Sequence, residues 1–340
     1  MQLKLSKILR VALKAESRQL RHASWACAEL PQRSIIKVAG ADSADFLQGL
    51  MTNDIERMVA EKWRSLYCMF LDTKGRVLFD ALVYQGQLET DFLLDVDKKV
   101  AKEAAKRMAL YKLRKKVSID ILQSMKVYAA YDDKDLGSSP GPCNDGMPWG
   151  DKEGPFCQDD SVQCFPDPRL KALGSRLILD TVQSWDIRKH IPEVTNIMDD
   201  HDYDYHRCVL GVAEGVEEVG RGKVTPLEYN LDLLHGVNFH KGCYIGQELT
   251  ARTHHTGVIR KRILPLEFSD AIESEYGPEQ DIDIKNEKRK PVGKAKRLHG
   301  KVGLGLMRLK ETFEAEKLYV NDSDFEVSVR KPAWWPVELK

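Results

Sequence analysis

The sequence predicts a multi-domain α+β protein that ends in a small β-barrel. Its 340 residues suffice for two or three domains, and the hydrophobic share of 42% with a charged share of 31% is typical of globular chains. Residues 92–130 follow the order strand, helix, strand, strand, which is typical of a small α+β unit. After residue 257 the predicted strands are short and broken by Gly, Pro and charges, a pattern that favours a barrel.

Charge and cysteine usage limit the classes of function. Lys plus Arg and Asp plus Glu number 52 each, and this balance argues against direct nucleic-acid binding. The chain has no apolar run of about eighteen residues, so no membrane insertion is expected. The seven cysteines are odd in number and none has C-x-x-C spacing, so we expect a reducing compartment and no self-contained four-cysteine metal site. Metal chemistry would therefore be shared with a partner.

Residues 1–30 differ in composition from the rest of the chain. They are rich in Lys and Arg and contain only two acids, Glu16 and Glu29. This composition indicates a mitochondrial transit peptide, with an ordinary surface helix as the alternative. We expect the folded chain to begin near Arg33.

The next hundred residues are predicted to alternate between strands and helices. Strands are expected at 34–38, 65–71, 76–84, 92–96, 117–121 and 127–130, and helices at 42–50 and 98–112. Asp42 is a candidate N-cap of the first helix. Asp80 places a carboxylate within an apolar strand, so we expect it on an exposed face or in a polar pocket. The basic cluster at 112–116 is typical of a solvated face, with a docking surface for an acidic partner or a ligand phosphate as the alternative.

Residues 132–168 hold six of the fourteen prolines and are predicted to form a loop or insertion. Cys143, Cys157 and Cys164 fall in this segment at spacings that match no metal motif. Further along, Glu228 and Asp232 lie near the proline turn at Pro226, where they form either an acid/base pair or helix caps.

The stretch from Lys241 to Glu248, KGCYIGQE, combines a basic residue, two glycines, one cysteine, an amide and a carboxylate. It predicts a turn leading into a short helix with Cys243 at the entrance. A neighbouring lysine and a helix N-terminus favour the thiolate, the form that ligates metals or attacks electrophiles. A small buried hydrophobe is the alternative for Cys243. His240, His254 and His255 lie close in sequence but lack the spacings of a zinc site.

This motif resembles the signature of the folate-binding iron–sulfur assembly factors, relatives of the glycine-cleavage T-protein (aminomethyltransferase). The resemblance covers nearly all of the chain after residue 33. The other similar segments are residues 38–42, 46–50, 52–54, 71–80, 111–117, 167–170, 226–228, 230–231 and 248–262. The last of these resembles the mitochondrial branch.

The resemblance implies a T-protein-like cloverleaf of two interleaved α/β domains, ferredoxin-like in part, and a C-terminal β-barrel. Applied to this chain, it predicts one discontinuous domain at 31–84 and 176–250. A ferredoxin-like domain would occupy 85–175, and the barrel 251–340.

The implied function is assembly of iron–sulfur clusters in the mitochondrial matrix. Cys243 becomes the candidate ligand of a [2Fe–2S] cluster shared with an A-type scaffold protein, acting late to mature client [4Fe–4S] apoproteins such as aconitase and lipoate synthase. The rest of the motif, which supports this cysteine, consists of Lys241, Gly242, Tyr244, Gly246, Gln247, Glu248 and Arg252.

The resemblance also implies a tetrahydrofolate pocket. Its candidate residues are Asn53, Asp80, Arg207 and Glu228. A folate-dependent one-carbon (aminomethyl) transferase with Asp80 as acid/base is therefore the alternative function. The T-protein has paired aspartates where this chain has Phe79 and Asp80, and the loss of one carboxylate argues against turnover. An RNA-modification role is a third hypothesis, which the neutral charge disfavours.

Overall fold

The computed structural model describes residues 25–135, 162–180, 187, 191, 194–271 and 282–336. Residues 1–24 of the predicted transit peptide lie outside this range, as do Cys143 and Cys157 in the predicted insertion. The described residues form three sheets joined by short helices. None of their helices has the length and apolar character needed to cross a membrane.

The first sheet is antiparallel and has the strand order β3-β4-β5-β2-β6. Its strands are β2 (Arg33–Ala39), β3 (Ser65–Leu71), β4 (Val77–Gln85), β5 (Asp91–Asp97) and β6 (Ser118–Leu122). Three helices belong to this part of the chain: α1 (Ser43–Gln48), α2 (Ile55–Ala60) and α3 (Lys98–Lys112). The apolar positions of α3 at residues 100, 101, 104 and 108 are buried in the same core as these strands, so the helix predicted at 98–112 is confirmed.

The second sheet has the order β10-β1-β7-β9-β8, with β1 and β10 parallel and the other pairs antiparallel. Its strands are β1 (Trp25–Glu29), β7 (Met125–Asp132), β8 (Val162–Pro166), β9 (Ser175–Asp180) and β10 (Val194–Met198).

Strand β1 corrects the predicted start of the folded chain. It lies inside the predicted transit peptide of residues 1–30, yet Ala26, Cys27 and Ala28 are fully buried and pair on both sides. Small side chains suffice in such a central strand, and they leave no alternating pattern in the sequence. Strand β8 likewise falls inside the predicted loop of 132–168, where Cys164 is buried.

Strand pairing crosses the boundary predicted at residue 84. Strands β5 and β6 belong to the predicted segment 85–175, yet both pair with β2 from the predicted first domain. The same segment supplies β7 and β8 to the second sheet. Backbone hydrogen bonding, which the sequence does not display, therefore distributes this segment over two sheets.

The C-terminal sheet has the order β15-β12-β13-β14-β11-β16 and confirms the predicted barrel. A bridge between Tyr319 and Glu326 connects its two ends, so the sheet is nearly closed. Its strands are β11 (Lys261–Phe268), β12 (Ile282–Asn286), β13 (Pro291–His299), β14 (Val302–Arg308), β15 (Leu318–Val320) and β16 (Val327–Val329). The barrel also carries α7 (Leu309–Glu314).

Shorter helical elements connect these sheets. They are the 3-10 turns at Lys171–Leu173 and Pro226–Tyr229 and the helices α4 (Asp200–Leu210), α5 (Gly215–Glu218) and α6 (Gln247–Thr256). Helix α6 begins within the KGCYIGQE motif, as predicted.

A buried ionic cluster joins the first two sheets. Glu214 accepts from Arg176 of β9 at 2.5 Å and lies 2.7 Å from the guanidinium of Arg169. Arg33 of β2 donates to Asp95 of β5 at 2.6 Å, and Arg176 approaches Asp95 at 3.8 Å. These side chains are almost fully buried, so the cluster requires both sheets to be in place before its charges are paired.

Candidate functional site

Cys243 is the exposed cysteine of the described chain, and the alternative that it is a buried hydrophobe is wrong. Cys27, Cys68, Cys164 and Cys208 are all buried. Burial raises the pKa of Cys27 to about 12 and raises the pKa of Cys68 and Cys208 as well. Those thiols stay protonated inside the core, so Cys243 is the described sulfur that a second protein can reach.

Lys241 holds the loop that carries Cys243. Its ammonium group donates to the carbonyl oxygens of Gln48 at 2.7 Å, Met51 at 2.8 Å and Asn53 at 2.6 Å. Burial lowers the pKa of Lys241 to about 8. An ammonium group has three N–H donors, and all three are used by these carbonyls. Lys241 therefore anchors the loop to the end of α1 and the residues just after it, a role that the sequence did not predict.

The loop is also fixed where it enters α6. Gly246 has φ +79°, and a Cβ atom there would lie 2.4 Å from the carbonyl oxygen of Asp72, at the tip of the β3–β4 hairpin. Only glycine fits both the backbone conformation and this close approach. The amide of Tyr244 donates to the side-chain oxygen of Gln247 at 3.1 Å, and the amide of Ile245 donates to the carbonyl of Gly49 at 3.1 Å.

Two apolar side chains of the motif pack into different cores. Tyr244 packs against the large core to which all three sheets contribute, whereas Ile245 packs against the second core, formed by the first sheet and its helices. Cys243 itself stays outside. The motif thus packs against two cores, both of which contain strands of the first sheet, and it leaves the thiol at the surface.

The remaining motif residues face solvent. Gly242 is exposed, and a Cβ atom there would meet nothing within 4 Å, so a side chain at this position is not excluded by the described chain. Glu248 and Arg252 are exposed and lie four residues apart on α6, which places them on one face of the helix.

Asn238, which the sequence did not single out, shapes the turn before Cys243. Its side-chain oxygen accepts from the amides of His240 at 2.8 Å and Lys241 at 3.1 Å. The sequence did contain a signal for this turn, since an asparagine side chain often accepts a hydrogen bond from the backbone two residues further along.

The histidines near the motif do not form a metal site with Cys243. His254 stacks on Phe239 with ring centroids 3.6 Å apart, and His255 meets His254 edge-on. Among the described residues, the potential metal-ligating group is the buried set of Cys208, Glu218 and His299. Both carboxylate oxygens of Glu218 accept from Arg207, at 2.8 and 3.0 Å, so that carboxylate already has a cationic partner.

The four predicted folate residues do not share one hydrogen-bond network. The Asn53 side-chain nitrogen donates to the carbonyls of Tyr67 at 2.8 Å and His235 at 2.7 Å. Glu228 accepts from the Thr225 amide at 2.8 Å and caps the following turn, which confirms its predicted capping role.

Asp80 and Arg207 are both buried and both contact the segment around α5. Asp80 accepts from the Gly215 amide at 3.1 Å, while Arg207 donates to Glu218. Burial raises the pKa of Asp80, whereas the nearby Arg33 lowers it. The structure brings these two residues to one region, and the Asn53 carbonyl accepts from Lys241.

Comparisons with known proteins give the context of this site. Residues 260–337 match the family model described as the CAF17 C-terminal beta-barrel domain. The chain is 34% identical to the human "Iron-sulfur cluster assembly factor IBA57, mitochondrial", over 94% of this chain and 87% of that protein. It is 33% identical to the IBA57 homolog of Aspergillus oryzae, over 88% of this chain and 75% of that protein.

A solved structure supports the fold independently. The glycine cleavage aminomethyltransferase T from Bartonella henselae superposes with a TM-score of 0.68, covering 94% of this chain and 89% of its own, at 13% identity. That likeness confirms the predicted T-protein-like α+β fold. The sequence matches to the human and Aspergillus oryzae proteins show that the chain belongs to the IBA57 family of iron–sulfur cluster assembly factors.

Proposed function

We propose that this protein is a mitochondrial iron–sulfur cluster assembly factor in which Cys243 supplies one ligand to a [2Fe–2S] cluster shared with an A-type scaffold protein. It acts late, in the matrix, to mature client [4Fe–4S] proteins such as aconitase and lipoate synthase. The observation that carries this proposal is an exposed thiol on a firmly anchored loop, with the other described cysteines buried.

Ligand number is the reason for a shared site. A [2Fe–2S] cluster is usually held by four cysteine thiolates, and the described chain offers one at its surface. In this proposal the remaining ligands come from a second protein. A rigid loop suits this task, because a ligand already held in position loses little conformational freedom when the complex forms.

Location follows from two observations. The related human and fungal proteins are named mitochondrial, and the first 30 residues of this chain have the basic, acid-poor composition of a transit peptide. Since β1 begins at Trp25, the removable segment lies before that residue.

A folate pocket is supported by the T-protein-like fold but less by the four residues predicted to line it. Asn53 and Glu228 bond to other parts of the protein, and Arg207 is paired with Glu218. Their hydrogen bonds within the described chain therefore do not by themselves support one pterin-binding site. Aminomethyl transfer is accordingly not the function we assign.

The experiment is anaerobic reconstitution of the complex with an A-type scaffold protein, comparing wild type, Cys243→Ser and Cys27→Ala. We expect the wild type and Cys27→Ala to form a heterodimer with the visible absorption of a [2Fe–2S] cluster. Cys243→Ser should lose that absorption, because the hydroxyl is a poor cluster ligand. The control removes a buried thiol flanked by two alanines and leaves the loop untouched. A fully absorbing Cys243→Ser heterodimer would refute the role of this thiol.

A further inference from the structure

A basic surface lies beside the Cys243 loop and has no role in the site described above. We define the basic patch as residues 98–116, which are helix α3 and the segment that follows it. It contains nine Lys and Arg residues and one acid, Glu103, in a chain whose formal net charge is zero. Two of these cations pair with acids outside the patch, Lys99 with Glu217 and Lys115 with Asp45. Even with these pairs, the patch is a local excess of positive charge.

Apolar side chains project from the same patch. Leu110 is 69% exposed and Leu113 is 88% exposed, with Tyr111 between them at 36%. These are three of the eight exposed large hydrophobic side chains of the described residues, gathered within four positions. Such clustering is typical of an interaction site, whereas single exposed hydrophobics are ordinary.

Leu113 is unusual in its backbone as well. It ends α3 with φ +48° and ψ −113°, a positive-φ conformation outside the left-handed helical region that side chains other than glycine rarely adopt. A leucine in this conformation carries a strain cost and, at 88% exposure, has little burial within the chain to offset it. A partner that covers the side chain would provide that burial.

The basic patch is continuous with the Cys243 loop through α1. At one end of α1, Asp45 pairs with Lys115. At the other end, the carbonyls of Gln48 and Gly49 accept from Lys241 and from the Ile245 amide. Six helical residues span about 9 Å, so the two sites lie within the footprint of one protein partner. Ile245 also lines one small recess together with Arg107 and Tyr111.

We infer that the basic patch docks the protein that supplies the remaining cluster ligands, through an acidic face of that protein with an apolar side chain at its centre. This inference rests on the proposed function. Cationic groups around exposed leucines complement such a face, and opposite charges steer its approach. No described atom would lie within 4 Å of a Cβ atom at Gly242, so the fold does not require glycine there. The absence of a side chain leaves space for the partner next to the thiol.

The experiment measures the affinity for an A-type scaffold protein separately from cluster absorption. The first variant, Leu110→Gln with Leu113→Gln, removes the apolar contact, and the second, Arg114→Glu with Lys116→Glu, reverses charge. Matched controls are Ile197→Gln, exposed on β10, and Lys288→Glu with Lys290→Glu, in the β12–β13 turn. All of these changes are at exposed positions, so folding should be preserved; thermal unfolding checks this.

Each patch variant should weaken binding about tenfold, and the controls should bind like the wild type. The affinity of the wild type for the scaffold should also fall as the salt concentration is raised from about 50 to about 300 mM. The affinity of the charge-reversal variant should fall less over the same range, because part of the attractive charge has been removed. At saturating scaffold, the patch variants should retain full cluster absorption, because Cys243 is intact.

Other outcomes overturn the inference and are separable from failure of the proposed function. Unchanged affinity of both patch variants would refute docking here, even if Cys243→Ser still lost the cluster. A patch that instead bound phosphatidylcholine vesicles containing anionic lipid, with scaffold affinity unchanged, would indicate a membrane surface. A normal cluster in Cys243→Ser would refute the proposed function alone, and no complex with wild type would refute both.

Discussion

At the scale of single residues, Lys241 illustrates how a charged group can act as a structural anchor. Its ammonium crosses to three backbone carbonyls at the end of α1 and just beyond it. The centroid of the Tyr244 ring lies 5.0 Å from the same nitrogen. The three hydrogen bonds attach the cysteine loop to residues 48–53, and the contact with Tyr244 lies within the loop itself.

Replacing Lys241 with Met should therefore loosen the loop. The change leaves three carbonyls without their donor, and we expect a loss of about 2 kcal/mol in the free energy of unfolding. Urea denaturation measures this loss. Hydrogen exchange at the Ile245 amide should also become faster, since that amide bonds to Gly49. Lys301→Met is the control, because the exposed Lys301 donates to a single carbonyl. Equal effects of both substitutions would contradict the anchoring role.

At this scale the sequence predicted the candidate thiol but not the anchoring role of its neighbour. KGCYIGQE singled out Cys243, and the structure exposes that thiol. Lys241, two positions away, was expected to act on the thiol electrostatically. The direction of a long side chain depends on which acceptors the fold places near it, and here α1 supplies them from almost two hundred residues away.

At the scale of elements, the start of α6 is set by its contact with the β3–β4 hairpin. Gly246 and Gly75 approach so closely that a Cβ atom on Gly246 would lie 3.1 Å from the Gly75 Cα. A Cβ atom on Gly75 would lie 2.9 Å from the Gly246 carbonyl oxygen. Both glycines have positive φ. The position at which α6 begins is thus set by close contact between the backbones of Gly246 and Gly75.

Gly246→Ala tests this contact, with Gly222→Ala as the matched control. Gly222 has φ +67° but open space around it, so its substitution should cost only the backbone term of about 1–2 kcal/mol. Gly246→Ala has the same cost of a positive φ, and its new methyl group must also displace the Asp72 carbonyl. This displacement should add about 1–3 kcal/mol to the loss in the free energy of unfolding. Thermal unfolding of both variants and the wild type measures the two losses of stability. Similar losses in both variants would show that the close contact is unimportant.

Elements whose apolar residues are regularly spaced in the sequence were predicted well. Elements without such spacing were not. Helix α3 has regularly spaced apolar positions, and its predicted bounds of 98–112 are confirmed. Strand β1 offers small residues and one cysteine, so nothing in it signalled a central strand. Its existence depends on β7 and β10, which lie far along the chain.

At the scale of the whole molecule, the buried ionic cluster links the two α/β sheets. Burial alone would raise the pKa of Glu214, but the guanidinium groups of Arg176, Arg169 and Arg33 hold it well below its usual range. Because this pKa is depressed in the folded protein, the carboxylate contributes stability at neutral pH. That contribution is complete above the unfolded pKa of about 4.3 and is lost as the pH falls towards the folded pKa.

Glu214→Gln should consequently be strongly destabilising. It leaves buried guanidinium groups without their common partner, which costs about 3–5 kcal/mol at neutral pH. The difference from wild type should shrink when urea denaturation is repeated at about pH 3.5, because the wild type is then losing the same interaction. Glu326→Gln, in an exposed pair with Lys317, serves as control and should change stability by less than about 1 kcal/mol. If the difference in the free energy of unfolding between wild type and Glu214→Gln did not change with pH, ionisation of Glu214 would not contribute to stability as proposed.

The sequence by itself determined the fold class, the barrel at the C-terminus and the candidate thiol. Apolar periodicity, turn residues and the KGCYIGQE motif are local properties that can be read along the chain. Tertiary structure alone decided that Lys241 anchors the loop, that β5 and β6 join β2, and that the basic patch adjoins the thiol. These features bring together segments distant in sequence, and they follow from hydrogen bonds and packing that form only when the whole chain is folded.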